Sequence, residues 1–195
     1  MTSAPLTPVR VPLRGPIASQ VHALYRRAFP PEERVPLPLL HASALRRRAI
    51  SFTAWVDPEL SDPSAHDAEV IAFTYSFVSK DLVYLAFLAV DDQLRSAGYG
   101  RRILEWFADE HPDLPLFLEI EPIDESAGNY GQRLRRLAFY QRNGFTVSNM
   151  LTHEAGQTFR VLHRGPGAGA ISAERLEREL NAFGAGLVRT RVTTD

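Results

Sequence analysis

The chain has 195 residues, 45% of them hydrophobic, which suits one domain able to bury roughly 70% of its extended-chain surface. Its 22 basic and 23 acidic residues give a formal charge of −1, with no basic stripe interleaved with aromatics, which argues against a nucleic-acid partner. The lack of cysteine rules out disulfides, thiolate metal sites and a cysteine acyl-enzyme, and the six histidines show no ligand-type spacing, so no metal is expected.

The N-terminus lacks a basic region followed by an apolar core, and no apolar run approaches the roughly 18 residues of a membrane span, so a soluble cytoplasmic protein without a membrane partner is expected. A short strand near Val9–Leu13 precedes a helix over Ile17–Ala28, a Pro30-Pro31-Glu32-Glu33 turn and a second helix near Leu37–Arg48. Phe52–Val56 reads as a strand, and two Asp-Pro pairs within Asp57–Asp67 mark a turn. Val70–Val78 alternates Ile71, Phe73, Tyr75 and Phe77 against Ala72, Thr74 and Ser76, which predicts a meander into a strand at Leu82–Val90. A helix to about Glu110, a strand at Leu116–Glu121, a helix at Gln132–Asn143 and strands near Phe145–Met150 and Gln157–Leu162 complete a mixed α/β sheet.

Gly165–Ala170 reads as a linker, and beyond it Ser172 can cap a helix whose Leu176, Leu180 and Phe183 share a face, with Ile171 and Leu176 at hydrophobic-staple spacing. The expected organisation is therefore a domain over 1–164, with a linker, an extra C-terminal helix and a tail over 165–195 docked on it. An interface helix is the alternative, which leaves a monomer or a homodimer. Only the extreme tails read as disordered.

The segment from Phe87 to Leu104 carries the most chemistry. An apolar strand leads into Arg95-Ser96-Ala97-Gly98-Tyr99-Gly100-Arg101 and then an amphipathic helix with Ile103, Leu104, Trp106 and Phe107 on its apolar face. Gly98 and Gly100 remove side chains where backbone N–H groups converge, and a helix N-terminus presents unpaired donors and a positive dipole end, a combination suited to a pyrophosphate. A glycine-bearing turn without a ligand is the alternative, and the spacing matches neither the Rossmann nor the Walker fingerprint. Further along, Leu134, Leu137 and Ala138 share a helical face ahead of Phe139-Tyr140, and Asn143-Gly144 supplies the stop.

Arg95-x-x-Gly98-x-Gly100 resembles the coenzyme A loop of the GNAT superfamily of N-acetyltransferases, and Phe139-Tyr140-x-x-x-Gly144-Phe145 resembles its second signature. The resemblance runs from roughly Val9 to Arg164, and a bacterial subgroup has similar segments: Ala28-Phe-Pro-Pro-Glu32-Glu33-Arg34, Leu118–Pro122 and Asn129–Arg136 leading into Phe139-Tyr140. It implies an acetyl-CoA-dependent N-acetyltransferase with a central mixed, mostly antiparallel sheet of about 6–7 strands flanked by helices. It also implies that Leu88, Ala89 and Val90 offer main-chain groups to pantetheine, and that residues 95–101 hold the phosphates. Tyr140 becomes the proton donor to the departing thiolate. The position seven residues before it, often an asparagine in the superfamily, is Arg133 here, and Asn129 stands one turn earlier as a coenzyme-binding candidate.

Removing the amine proton requires a base. Glu119 and Glu121 are two apart on one strand, so they are expected to share a face and to raise each other's pKa. The base is one of these two or a water. The acceptor is an amine of a small molecule, peptide or protein. A non-catalytic acyl-CoA-binding module for regulation or protein contact is the alternative function, since it would keep the same loop.

Overall fold

Strand-forming runs of β-branched and aromatic residues, separated by proline- and glycine-bearing turns, generate eight strands and five α-helices in the computed structural model, which describes residues 4–94, 97–184 and 189–195. The chain up to Phe77 with Leu85–Phe107 forms one compact unit, and Val78–Tyr84 with Ala108–Asp195 forms a second.

In the first unit β1 (Thr7–Arg10), β2 (Ile50–Val56) and β3 (Ala72–Val78) pair antiparallel, with Thr7 opposite Val56 and Ala54 opposite Phe73. The small polar residues of β3 do not face solvent as alternation alone would suggest. Thr74 and Ser76 are buried, and Thr74 Oγ1 accepts the Trp55 indole N–H at 3.0 Å. Trp55 packs edge-on to Trp106 at 5.0 Å, on the apolar face that the sequence pattern marked. α1 (Pro16–Ala28) begins with proline at its first position and buries Ile17, Ala18, Val21, Leu24 and Tyr25. α2 (Leu37–Arg46) buries Leu40, His41 and Ala44. The two helices are tied by imidazoles: His22 Nε2 and His41 Nε2 lie 2.8 Å apart, one ring donating and the other accepting. Burial lowers the pKa of both, and His41 adds to the effect on His22.

The second unit contains the start of β4 (Val83–Val90), β5 (Leu116–Ile120), α4 (Tyr130–Arg142), β6 (Thr146–Glu154), β7 (Gln157–Arg164) and α5 (Ala173–Gly184). β6 and β7 form a hairpin whose turn, Ala155-Gly156, has both residues at positive φ, 48° and 80°. That matches the twist of two-residue hairpins. Ser172 caps α5 as its sequence suggests, accepting the Arg175 N–H at 3.3 Å, and Leu176 and Leu180 are buried. Arg175 also bonds Asp81 at 2.6 Å, which anchors the helix to its own unit.

The sheet order is β1-β2-β3-β4-β5-β7-β6-β8, mostly antiparallel, with β4 and β5 parallel through Val83↔Leu116 and Tyr84↔Phe117. The last strand, β8 (Arg191–Thr194), corrects the reading of the C-terminal tail as disordered and raises the strand count to eight. It pairs with β6 from Met150↔Thr194 to His153↔Arg191, Val192 is buried, and Asp195 bonds Arg160. Among the described residues no helix is long and apolar enough to cross a membrane.

Candidate active site

α3 (Tyr99–Glu110) begins where the glycine motif places it. Gly98 has φ +79°, a left-handed conformation that glycine adopts without strain, and a Cβ built there would meet nothing within 4 Å. Arg102 N–H bonds Gly98 O at 3.1 Å, so the amides of Tyr99, Gly100 and Arg101 precede the first intrahelical donor of this turn. Arg95 and Ser96 lie outside the described residues. Ala97 and Gly98 are exposed.

Asp57 holds this helix start in place. Arg102 Nη1 donates to Asp57 Oδ2 at 3.0 Å, the Tyr99 hydroxyl bonds the same carboxylate, and Arg102 also reaches Ala4 O. Burial alone would raise the Asp57 pKa, but the Glu59 N–H, the Arg102 and Tyr99 hydrogen bonds and the Arg102 charge together hold it below the usual carboxylate range. The Tyr99 side chain is therefore used for anchoring, and its contribution to a ligand would be its backbone. Arg101 pairs with Glu105 one turn along at 2.7 Å. Leu88, Ala89 and Val90 form the end of β4, where Ala89 is buried and its neighbours are half-buried.

The second unit contains Tyr140, Glu119, Glu121 and Asn129. α4 ends at Arg142 with Asn143 as its C-cap, followed by Gly144 at φ +80°, and Phe145 N–H returns to Tyr140 O at 3.1 Å. This closure fixes Tyr140 between Phe139 and Phe145, with ring centroids at 5.1 and 5.4 Å. The side chain is 9% exposed, and burial raises the phenol pKa to about 12, with Arg136 acting in the opposite direction. Leu134, Leu137 and Ala138 do not form the buried stripe that their spacing predicts. Leu134 is 39% exposed and the other two are half-buried, because α4 is held largely by its polar residues.

Those polar residues converge on Glu121. Arg136 bonds its Oε2, Asn129 Nδ2 donates to Oε1 at 3.0 Å, and Arg133 lies 3.9 Å from Oε1 while donating to Asn129 Oδ1 at 2.7 Å and to Pro122 O at 2.8 Å. Glu121 and Asn129 are thus engaged within the protein, Glu121 accepting a hydrogen bond on each oxygen.

Glu119 has different surroundings. β5 ends at Ile120, so Glu121 lies past the regular strand, and the carboxylate acting on Glu119 is Glu154, not Glu121. The Tyr84 hydroxyl donates to Glu119 Oε2 at 3.0 Å. The residue as a whole is half-buried, yet Oε1 has no contact with solvent and no hydrogen-bond partner, and the same holds for Thr152 Oγ1. Burial first, then the charge of Glu154, raise the Glu119 pKa to about 8, against smaller opposing effects of Thr152 and Tyr84. Sequence reasoning missed Tyr84, Thr152 and Glu154. Tyr84 reads as part of an apolar strand, and Glu154 beside a hairpin turn reads as a solvated charge.

No family model matches this sequence, and no curated protein matches it. Solved structures do. A protein from Bacteroides thetaiotaomicron assigned as a GNAT-family acetyltransferase superposes with a TM-score of 0.68 at 23% identity, over 92% of this chain and 97% of its own. An aminoglycoside 6'-N-acetyltransferase complexed with coenzyme A gives a TM-score of 0.55 at 14% identity, over 81% and 96% of the two chains. A ribosomal-protein alanine N-acetyltransferase from Escherichia coli gives 0.53 at 18%, over 81% and 92%. At these identities the likeness is one of architecture: the chain is built on the fold of the GNAT acetyltransferases.

Proposed function

We propose that the protein is an acetyl-CoA-dependent N-acetyltransferase that moves an acetyl group directly to a primary amine. The observation that carries the reading is the start of α3: a left-handed Gly98 with open space where a Cβ would stand, ahead of the first-turn amides of the helix, in a fold that one similar structure shows with coenzyme A bound. Residues 95–101 and the main chain of Leu88–Val90 are assigned to the coenzyme. Acetyl-CoA supplies an acetyl group activated as a thioester.

The residues of the second unit divide the proton work. As the amine nitrogen bonds to the acetyl carbon and the C–S bond breaks, Glu119 takes the amine proton on Oε1 and Tyr140 gives its phenol proton to the sulfur; solvent then resets both. We assign the base to Glu119 because its Oε1 has no partner, whereas both oxygens of Glu121 are occupied. Glu121 and Asn129 keep α4 in place. The acceptor amine belongs to a small molecule, a peptide or a protein, and the names of the similar structures include both an aminoglycoside and a ribosomal-protein alanine as acceptors of those enzymes.

A panel of amines incubated with acetyl-CoA and monitored for free thiol tests the reading. Thiol release with an acceptor is expected, and acetyl-CoA binding without release from any amine would favour the non-catalytic binding module. Gly98→Val should weaken acetyl-CoA binding at least tenfold by calorimetry, because a branched side chain is strained at positive φ and would fill the open space. Equal affinities in two folded proteins would remove the loop from the site.

A further inference from the structure

In the second unit a series of contacts runs from the C-terminal segment to Glu119. Asn181, near the end of α5, accepts the Thr190 N–H at 3.1 Å and donates to Thr190 O at 2.7 Å, gripping the residue that enters β8 by both backbone groups. Thr190 is 4% exposed and turns its hydroxyl onto Glu154 Oε2 at 3.0 Å. Phe183 of α5 packs edge-on to Tyr84 at 5.4 Å, and Glu177 Oε2 accepts the Val192 N–H at 2.8 Å. Two of the three groups that act on Glu119 therefore lead back to one segment: Tyr84 through Phe183, and Glu154 through Thr190.

The hydrogen-bond inventory around Glu119 adds an atomic detail. Tyr84 donates to Oε2, so a proton held by Glu119 belongs on Oε1, the oxygen left without a partner. Thr152, fully buried on β6, directs its hydroxyl towards this carboxyl. The other charged groups nearby are engaged elsewhere. On β7, whose Val161 stands opposite Glu119, Arg160 bonds Asp195 and His163 lies against Phe117; on β8, Arg191 stands opposite His153, which bonds Thr193. Glu154 is the charged group whose field acts on the Glu119 carboxyl.

Building on the acetyl-transfer reading, we propose that Thr190 and Glu154 are positioning residues for Glu119, so that the C-terminal helix and strand form a working part of the acid–base site. Thr190 keeps Glu154 in place, and the charge of Glu154 strengthens the ionised Glu119 as acceptor of the amine proton. These contacts make the C-terminal segment part of the surroundings of the candidate base.

The test has one readout without turnover and one with it. Carbon-13 NMR of labelled glutamate carboxyls in the free protein should show the Glu119 midpoint falling by roughly one pH unit, a tenfold change in proton affinity, in Glu154→Gln. Thr190→Val should move it in the same direction, and Thr190→Ser, which keeps the hydroxyl, should restore the wild-type value. The rising limb of kcat/KM against pH should shift in parallel. An unmoved midpoint in both Glu154→Gln and Thr190→Val overturns the proposal, as does a shifted midpoint with an unchanged pH profile. If the midpoints shift but no amine yields thiol even in the wild type, the acetyl-transfer reading fails, and the catalytic role of the segment fails with it.

Discussion

Replacing Tyr140 by phenylalanine is expected to lower kcat by roughly 10²–10⁴-fold while leaving acetyl-CoA affinity within about twofold. The substitution removes only a hydroxyl from a ring fixed between Phe139 and Phe145, so packing is preserved. Burial raises the phenol to about 12, so the group carries its proton at any working pH. Giving that proton to a thiolate whose conjugate acid has a pKa of about 8.5 is uphill by about 3.5 units, or roughly 5 kcal/mol. That is affordable within an ordinary catalytic barrier, and it means that the contribution of Tyr140 comes from position more than from acidity. Single-turnover measurement of thiol release separates the outcomes. Equal losses in binding and rate would assign Tyr140 to packing, and an unchanged chemical step would assign the proton to water.

The second large effect belongs to Glu119→Gln. Wild-type kcat/KM should rise with pH through about 8, where Glu119 gives up its proton, and the variant should lose this limb together with roughly 10²–10⁴-fold of the activity above it. Stability supplies an independent measure. The folded-state pKa lies above the ordinary 4.5, so folding favours the protonated carboxyl: stability is fully present below about 4.5 and is lost as pH rises through about 8. Denaturant melts should show the wild type losing on the order of 2–4 kcal/mol between pH 5 and 9 that the glutamine variant keeps, a range discounted for partial exposure of the side chain. A wild type that gains stability over that interval would mean a carboxylate held charged, and would end the case for Glu119 as base.

Much of the architecture was legible because it is local. The passage from β4 through Gly98 into α3, the stop of α4 at Asn143-Gly144 and the Ser172 cap of α5 each depend on backbone rules that act over a few residues. The failures came where a local rule met a tertiary boundary. Face-sharing between Glu119 and Glu121 requires the strand to continue, and β5 stops at Ile120, which turns the second glutamate towards the arginines of α4. Glu154 lies 35 positions from Glu119, and no periodicity relates residues brought near by a sheet order that departs from chain order. β8 is four residues long, and its pairing comes from β6 and from the burial of Val192 rather than from intrinsic preference. Leu134 shows the converse, an apolar position that the spacing marked for the interior and the fold leaves in water.

The pairing of β8 also decides which backbone groups the sheet leaves at this border. Without it, the nine-residue β6 would present a long row of unsatisfied amides and carbonyls, a template onto which another copy could add a strand. With it, the exposed border is a short strand bearing Arg191, closed by the Arg160–Asp195 ion pair. The same few residues that bring Thr190 to Glu154 therefore also cover the edge of β6, and a chain shortened past Gly184 is expected to expose that edge and to self-associate, which light scattering would read.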